Sequence, residues 1–218
     1  MARPTTGYRN AAGVRVPGTT TIIGRFKDSG GLLRWAFAQG QAAERGEIRD
    51  LYDKRDEAAE CGTLAHDCVE AHIHSEPLPS LPDTETGRKA RQAFEMYLSW
   101  AKMTRLEIIA TEMPLVSEQY QYGGTPDAIG TLGGELFLLD WKTSNGVYPD
   151  YIIQLAAYRQ LVIECTDYDI GPGGHILRFA KSDADFAHHY FGDISDGWEQ
   201  FALFRQAYEI SKRLKRRV

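Results

Sequence analysis

Apolar side chains recur along this chain at two different spacings, and the spacings predict helices first, then strands, then helices again. The spacing of three and four residues that is typical of helices occurs at 32–41, 48–73, 87–102, 151–164 and 198–216. Alternating or continuous apolar runs predict strands at 108–116, 124–132, 135–142, 175–180 and 186–191. Because 151–164 is predicted to be a crossover helix between strands, we expect an α/β (α+β) fold.

A Gly133-Gly134 pair separates two of the predicted strands. Glycine accepts positive φ at little steric cost, so the pair favours a two-residue hairpin turn. If Leu132 then faces Glu135, the two residue numbers of every opposed pair in the hairpin add up to 267. The turn therefore predicts which side chains lie opposite one another in the hairpin.

The predicted pairing places Asp127 opposite Asp140 and Thr125 opposite Lys142, although Pro126 weakens it because a proline in a strand lacks a donor. Opposed Cβ atoms lie about 4.5–5.5 Å apart, so one cation could contact both carboxylates. Asp140 and Lys142 share a face because strand side chains alternate with a period of two. The residues flanking them on both faces are apolar, which predicts a central strand buried on each side.

Two carboxylates buried together are costly unless a cation neutralises them or one takes a proton. All-oxygen ligation is typical of Mg²⁺ or Mn²⁺. The alternative is that Asp140 merely ends a strand and Lys142 is a solvated lysine. Asp127 at the matched position, with Gln154 and Tyr158 following on a predicted helix, favours a site.

Four short motifs, in this order, resemble the core of the PD-(D/E)xK nuclease superfamily. They are GTLAH at 62–66, GTPD at 124–127, LDWKTS at 139–144 and QLAAY at 154–158. The branch they are most similar to is that of the RecB-like exonucleases, which includes the CRISPR-adaptation nucleases, the mitochondrial genome maintenance exonuclease and many phage proteins. The resemblance implies a restriction-endonuclease-like central mixed sheet flanked by helices.

The resemblance also implies a metal site and a catalytic lysine. His66, Asp127, Asp140 and the backbone carbonyl of Trp141 would bind Mg²⁺ or Mn²⁺. Lys142 would orient the attacking water or stabilise charge that develops on the phosphate.

Four further positions carry expectations of their own. Gln154 and Tyr158, four residues apart on one helical face, would contact water or the DNA backbone as part of the catalytic site. Glu112 is either a ligand of a second metal or a support for the first, or else a plain surface residue. Pro126 departs from the family pattern, in which an apolar strand former is expected.

His66 has two alternative interpretations. It shares a helical face with apolar residues three and seven positions on, so it could be a core histidine. Together with Glu70, His72 and His74 it could also indicate zinc, but His72 and His74 should lie on other helical faces and no H-E-x-x-H is present. Its place in the GTLAH motif favours a ligand of the divalent ion.

Composition limits the remaining possibilities. The length of 218 residues suits one nuclease domain over 1–218, with a basic N-terminal arm at 1–30 and a helical region at about 31–105 packed on the core. No apolar run approaches the roughly 20 residues that span a bilayer, and no signal-peptide core is present, so we expect a cytoplasmic protein of prokaryotic or phage origin that is not secreted and binds no membrane. The three unclustered cysteines, Cys61, Cys68 and Cys165, indicate a reducing compartment and predict that no iron–sulfur cluster is bound.

Basic residues concentrate at the two ends of the chain, although the net charge is −5. Residues 1–27 contain no acid and five basic residues, and 212–217 reads KRLKRR. These ends could hold phosphates around an acidic centre, or they could be solvated tails. The resemblance implies DNA, single-stranded or with free ends, as the partner, and the sequence identifies no protein partner.

The combined hypothesis is a metal-dependent DNA exonuclease that hydrolyses phosphodiester bonds in recombination, repair or replication. An endonuclease of the same fold and a non-catalytic DNA-binding assembly module are alternatives. A third is a zinc hydrolase that uses the region around Glu70.

Overall fold

The computed structural model of the chain describes residues 7–27, 30–47, 53–181 and 183–217. Its helices are α1 (Thr19–Phe26), α2 (Gly30–Glu44), α3 (Asp53–Ile73), α4 (Glu85–Thr104), α5 (Pro149–Cys165) and α6 (Ser195–Lys215). Its strands are β1 (Tyr8–Arg9), β2 (Arg15–Val16), β3 (Glu107–Thr111), β4 (Leu115–Ser117), β5 (Tyr122–Gly124), β6 (Ala128–Leu132), β7 (Glu135–Thr143), β8 (Gly174–Phe179) and β9 (Phe186–Phe191). The predicted alternation of helical and strand segments is confirmed, while residues 48–52 of the helix predicted at 48–73 lie outside the described residues.

A five-stranded mixed sheet with the order β3-β6-β7-β8-β9 forms the centre of the fold. Strands β3, β6 and β7 are antiparallel neighbours, and β7 runs parallel to β8 because α5 crosses over between them. Strand β9 closes the far edge antiparallel to β8. The predicted α/β class, a central mixed sheet flanked by helices, is therefore confirmed.

Strand β7 lies between β6 and β8 and is buried on both faces. Leu138 packs in an apolar cluster with α1, α5 and α6, whereas Leu139 and Trp141 pack in a second cluster with α3 and α4. Helices α1, α5 and α6 thus form a layer on one side of the sheet, and α3 and α4 form a layer on the other. The expectation of a central, doubly buried strand is confirmed.

Two of the predicted strands are each broken into two pieces. The strand expected at 108–116 stops at Thr111, because Glu112 has a φ of 46° and turns the chain. The strand expected at 124–132 is interrupted around Pro126, which has no N–H to donate to a ladder. The detached pieces, β4 and β5, pair with each other in a separate two-stranded sheet, and β1 and β2 form another.

Residues 7–27 of the N-terminal arm, for which no element was predicted, pack closely on the sheet of β4 and β5. Gly123 leaves room for the ring of Tyr8, since an added Cβ would lie 2.2 Å from its Cγ atom. The backbone N–H of Gly123 donates to the carbonyl of Pro17 at 3.0 Å. Strands β1 and β2 are thereby held beside β5. Among the described residues, no helix combines the length and hydropathy that a membrane span needs.

Candidate active site

The hairpin of β6 and β7 has the register that the Gly133-Gly134 turn predicts. Leu132 pairs with Glu135 and Ala128 with Leu139, so opposed residues sum to 267. Both glycines have positive φ, 62° and 92°. The register carries Asp127, one residue before β6, to the place opposite Asp140.

The side chain of Asp127 is fixed by β7 itself. Its Oδ2 atom accepts a hydrogen bond from the backbone N–H of Trp141 at 2.9 Å. The expectation that Thr125 faces Lys142 is wrong, because strand pairing ends at Ala128 and the chain then turns away. Thr125 is buried elsewhere, with its hydroxyl 2.9 Å from the hydroxyl of Tyr8.

Asp140 and Lys142 form a buried ion pair on one face of β7. The Asp140 side chain is fully buried and that of Lys142 is 14% exposed, and the Nζ atom of Lys142 contacts the Oδ2 atom of Asp140. The Lys142 ammonium also lies over the ring of Tyr151, 5.5 Å from its centroid. The prediction that the two side chains share a face is confirmed.

Burial raises the pKa of Asp140 to about 7, with Lys142 opposing the rise and Asp127 adding to it. Burial also acts to lower the pKa of Lys142, but attraction to Asp140 and Asp127 outweighs it and the net pKa is raised. Among the described residues, no hydrogen-bond donor reaches Oδ1 of Asp140. A buried carboxylate with a free oxygen beside a second carboxylate is short of positive charge, and a divalent cation would supply it.

Helix α3 crosses the carboxyl end of β7 and brings His66 to this centre. The crossing is close at Gly62, where an added Cβ would lie 2.1 Å from Cγ2 of Thr143. His66, Asp127 and Trp141 line one small cavity of about 30 Å³. A cavity of this size has room for an ion or a water molecule. A divalent ion in this cavity would be held by the Asp127 carboxylate and the His66 imidazole.

The ligand atoms of His66, Asp67 and Glu70 lie within 4.8 Å of one another and could hold a metal. In the described part of the chain, His66, Asp127 and Asp140 do not form such a mutually close group of three. His66 is part-exposed, with its Nδ1 atom 3.6 Å from Oε1 of Glu70, which does not suit the core-histidine alternative. The structure thus brings His66 into the cavity that Asp127 lines, and Asp140 is not among the residues that line this cavity.

Of the two histidines that follow His66, one differs from expectation and the other agrees with it. His74 lines the same cavity as His66, so the expectation that it lies on another face is wrong. It follows the last turn of α3, where the chain bends back toward the cavity, with Ser75 at a φ of 55°. His72 does point elsewhere and packs against Phe94.

Glu112 also reaches the cavity beside Asp127. Its backbone N–H donates to the Asp127 carbonyl at 3.0 Å, and Glu112 lines the cavity with His66. The turn at Glu112 that breaks the predicted strand is therefore what brings this carboxylate to the centre. Its role as a ligand, like the role of the Trp141 carbonyl, stays a prediction.

Gln154 and Tyr158 lie on α5 and contact each other, as their spacing of four residues predicts. Nε2 of Gln154 donates to the Tyr158 hydroxyl at 2.8 Å, and both side chains are buried. Tyr158 lines a different and larger cavity, near the start of α1. The sequence indicates Tyr158 and the basic chain ends as separate candidates. No local pattern shows that Tyr158, Arg15 and Lys212 line one cavity.

The chain matches no family model and no curated protein. Among solved structures it is similar to the alkaline exonuclease LHK-Exo from Laribacter hongkongensis, at 12% identity over 73% of this chain and 91% of that chain, with a TM-score of 0.37. The complex of LHK-Exo with dAMP gives the same identity and coverage, with a TM-score of 0.38. The structure of SSO0001 matches at 13% identity over 67% of this chain and 73% of that chain, with a TM-score of 0.30.

Proposed function

We propose that this chain is a divalent-metal-dependent DNA nuclease of the PD-(D/E)xK superfamily, RecB-like branch, acting as an exonuclease on single-stranded or end-exposed DNA. One observation carries the proposal. At the end of β7, the buried pair of Asp140 and Lys142 lies beside Asp127, whose cavity is also lined by His66. This set combines a cation site with a fixed positive charge, which phosphodiester hydrolysis needs.

The metal ligands in this proposal are His66, Asp127, Asp140 and the carbonyl of Trp141, with Glu112 available for a second ion. Hard oxygen donors with one imidazole suit Mg²⁺ or Mn²⁺. Such an ion, when bound, polarises a phosphoryl oxygen and makes water a better nucleophile near neutral pH. The Trp141 N–H keeps the Asp127 carboxylate aimed at the cavity.

Lys142 stabilises negative charge on the phosphate or orients the attacking water. Its ammonium stays protonated because Asp140 and Asp127 attract it, and its ion pair restricts where it can point. Tyr151 supports the ammonium from α5, and the Gln154–Tyr158 pair extends along the same helix. A preorganised charge of this kind needs little rearrangement when the phosphate becomes more negative.

The exonuclease assignment and a role in recombination, repair or replication follow from the motif resemblance. An endonuclease of the same fold would cut circular single strands, which an exonuclease leaves intact. A non-catalytic assembly module would bind labelled DNA without ever shortening it. Linear and circular substrates, each with Mg²⁺ and with EDTA, separate the three.

The decisive experiment compares the wild-type protein with Asp140→Asn on labelled linear single strands. The variant keeps the side-chain shape but loses the charge, so cleavage should fall by at least about a hundredfold while the thermal transition is retained. Asp169→Asn is the matched control, since Asp169 is exposed on the loop after α5. An Asp140→Asn protein that cleaves at the wild-type rate would refute the mechanism.

A zinc hydrolase remains a second candidate because of the mutually close ligand atoms of His66, Asp67 and Glu70. It predicts full activity in Asp127→Ala and loss of activity after selective zinc chelation. The nuclease proposal predicts loss of activity in Asp127→Ala and restoration by Mg²⁺ alone. One set of assays with both treatments distinguishes them.

A further inference from the structure

A cavity of about 430 Å³ lies where the N-terminal arm meets α5 and α6, and it takes no part in the metal centre. Arg15 of β2 and Lys212 of α6 line it together with Tyr158. Among the described residues that line it, none is acidic. In a protein with a net charge of −5, a cavity with two cations and no carboxylate is suited to an anion.

Within the described residues, no carboxylate neutralises either of the two cations. Neither Arg15 nor Lys212 makes an ion pair with a carboxylate in the part of the chain that the structure describes. Lys27 shows the contrast, since its Nζ atom lies 2.7 Å from Asp150. Cations without carboxylate partners are available to a ligand.

The first turn of α1 forms another wall of the same cavity. Gly18 precedes this helix and provides no side-chain cap, and the first turn contains no acidic residue. Thr20 and Thr21 line the cavity with their hydroxyl-bearing side chains. The unsatisfied N–H groups and positive helix end add to the charges of Arg15 and Lys212 in favouring an anion.

Two independent segments of the chain show that the cavity lies close to the proposed catalytic centre. Gly124 lines the cavity and Asp127 follows three residues later, so at most about 11 Å separates their Cα atoms. Along α5, Tyr158 in the cavity lies seven residues from Tyr151 under the Lys142 ammonium, which corresponds to about 10 Å of helix. This separation is short enough for one DNA strand to contact the cavity and the catalytic centre together.

We infer that this cavity binds a backbone phosphate of the DNA strand, a few nucleotides from the bond that is cleaved. Arg15, Lys212 and the first turn of α1 hold the phosphate. Tyr158, on α5, forms the wall of the cavity on the side of the proposed catalytic centre. The inference rests on the proposed nuclease function for the identity of the strand. It explains why basic residues occur at both ends of the chain, since β2 and α6 bring one from each end to the same phosphate.

The test is binding of a labelled single-stranded oligonucleotide in EDTA, followed by fluorescence anisotropy over a series of salt concentrations. The variants are Arg15→Gln, Lys212→Gln and the double variant. Lys102→Gln is the matched control, because Lys102 is also a lysine in the last turn of a long helix but lies on α4, away from the cavity. Thermal melts of the four variants and of the wild-type protein test whether unfolding causes any weaker binding.

Each cavity variant should weaken binding about five- to tenfold, and the double variant should weaken it more. The slope of log K against log salt concentration should become shallower by about 0.7 for each lost phosphate contact on a single strand. Lys102→Gln should stay within about twofold of wild type. A purely structural role for Arg15 or Lys212 would not change the salt slope.

Cleavage assays with Mg²⁺ separate this inference from the proposed function. If wild type cleaves DNA but the double variant binds with wild-type affinity and slope, the phosphate site is refuted and the nuclease stands. If wild type never cleaves yet the double variant, unlike Lys102→Gln, loses affinity and slope, the phosphate site is supported and the catalytic proposal fails. If inorganic phosphate competes as well as an oligonucleotide at equal ionic strength, the cavity binds a free anion and the inference about DNA is refuted.

Discussion

Replacing Asp140 by asparagine should stabilise the metal-free protein at alkaline pH, although it should also abolish cleavage. Asp140 is fully buried, and its pKa rises from 3.8 to about 7 because burial disfavours the charged form. A tenfold change in an acid constant corresponds to about 1.4 kcal/mol. Ionised Asp140 therefore destabilises the folded state by up to about 4 kcal/mol relative to its protonated form.

The sign of the pH dependence follows from which state binds the proton. Between pH 4 and 7 the folded protein holds a proton on Asp140 that the unfolded chain has released, so this group makes stability fall as the pH rises. Asp140→Asn has no such proton. We expect the variant to be about 2–4 kcal/mol more stable than wild type at pH 8, with the difference disappearing near pH 4.

Urea denaturation in EDTA at pH 5, 6, 7 and 8 measures this difference directly. Asp169→Asn, which changes an exposed carboxylate, should show almost no difference at any pH. Adding Mg²⁺ should stabilise wild type increasingly as pH rises, because the ion displaces the proton, and should leave Asp140→Asn unchanged. A difference between wild type and Asp140→Asn that does not vary with pH would refute the reasoning.

Three further outcomes are expected elsewhere in the molecule. Lys142→Ala should lower kcat by at least about a hundredfold with the fold retained, and an unchanged kcat would exclude the proposed role of the lysine. Burial and neighbouring His188 lower the pKa of His175 to about 4, so this group makes stability fall by up to about 3 kcal/mol as pH drops from 6.5 to 4. Urea titrations of His175→Phe should show a flatter acid limb than wild type, and equal limbs would contradict this. Gly62→Ala should cost about 1–3 kcal/mol, because its Cβ would overlap Cγ2 of Thr143. Thr143→Ser removes that methyl group and should recover part of the loss in a double variant, as measured by thermal melting.

The hairpin was predictable because its information is local. Gly133 and Gly134 restrict the turn to conformations with positive φ, and the period-two alternation of β7 then assigns every side chain to a face. The opposition of Asp127 and Asp140 follows from those two rules. Helices with a clear apolar stripe, such as α4 and α6, were predictable for the same reason.

The breaks in the predicted strands were not predictable from periodicity alone. Residues 108–116 alternate well enough for one strand, but Glu112 adopts a left-handed conformation and donates to the Asp127 carbonyl. That hydrogen bond joins residues 15 positions apart. Its effect on the conformation of Glu112 therefore cannot be read from the neighbouring residues in the sequence. Pro126 did indicate an irregularity in the strand predicted at 124–132, because a proline has no N–H to donate.

By itself, the sequence determined the α/β class, the hairpin register and the pairing of Asp127 with Asp140, because short-range backbone preferences specify all three. Only the tertiary structure decided that α3 carries His66 to the Asp127 cavity, where Gly62 allows close contact with Thr143. It also decided that Arg15 and Lys212, almost 200 residues apart, line one cavity beside Tyr158. These arrangements depend on packing between distant segments, and contacts of that range leave no periodic pattern in the chain.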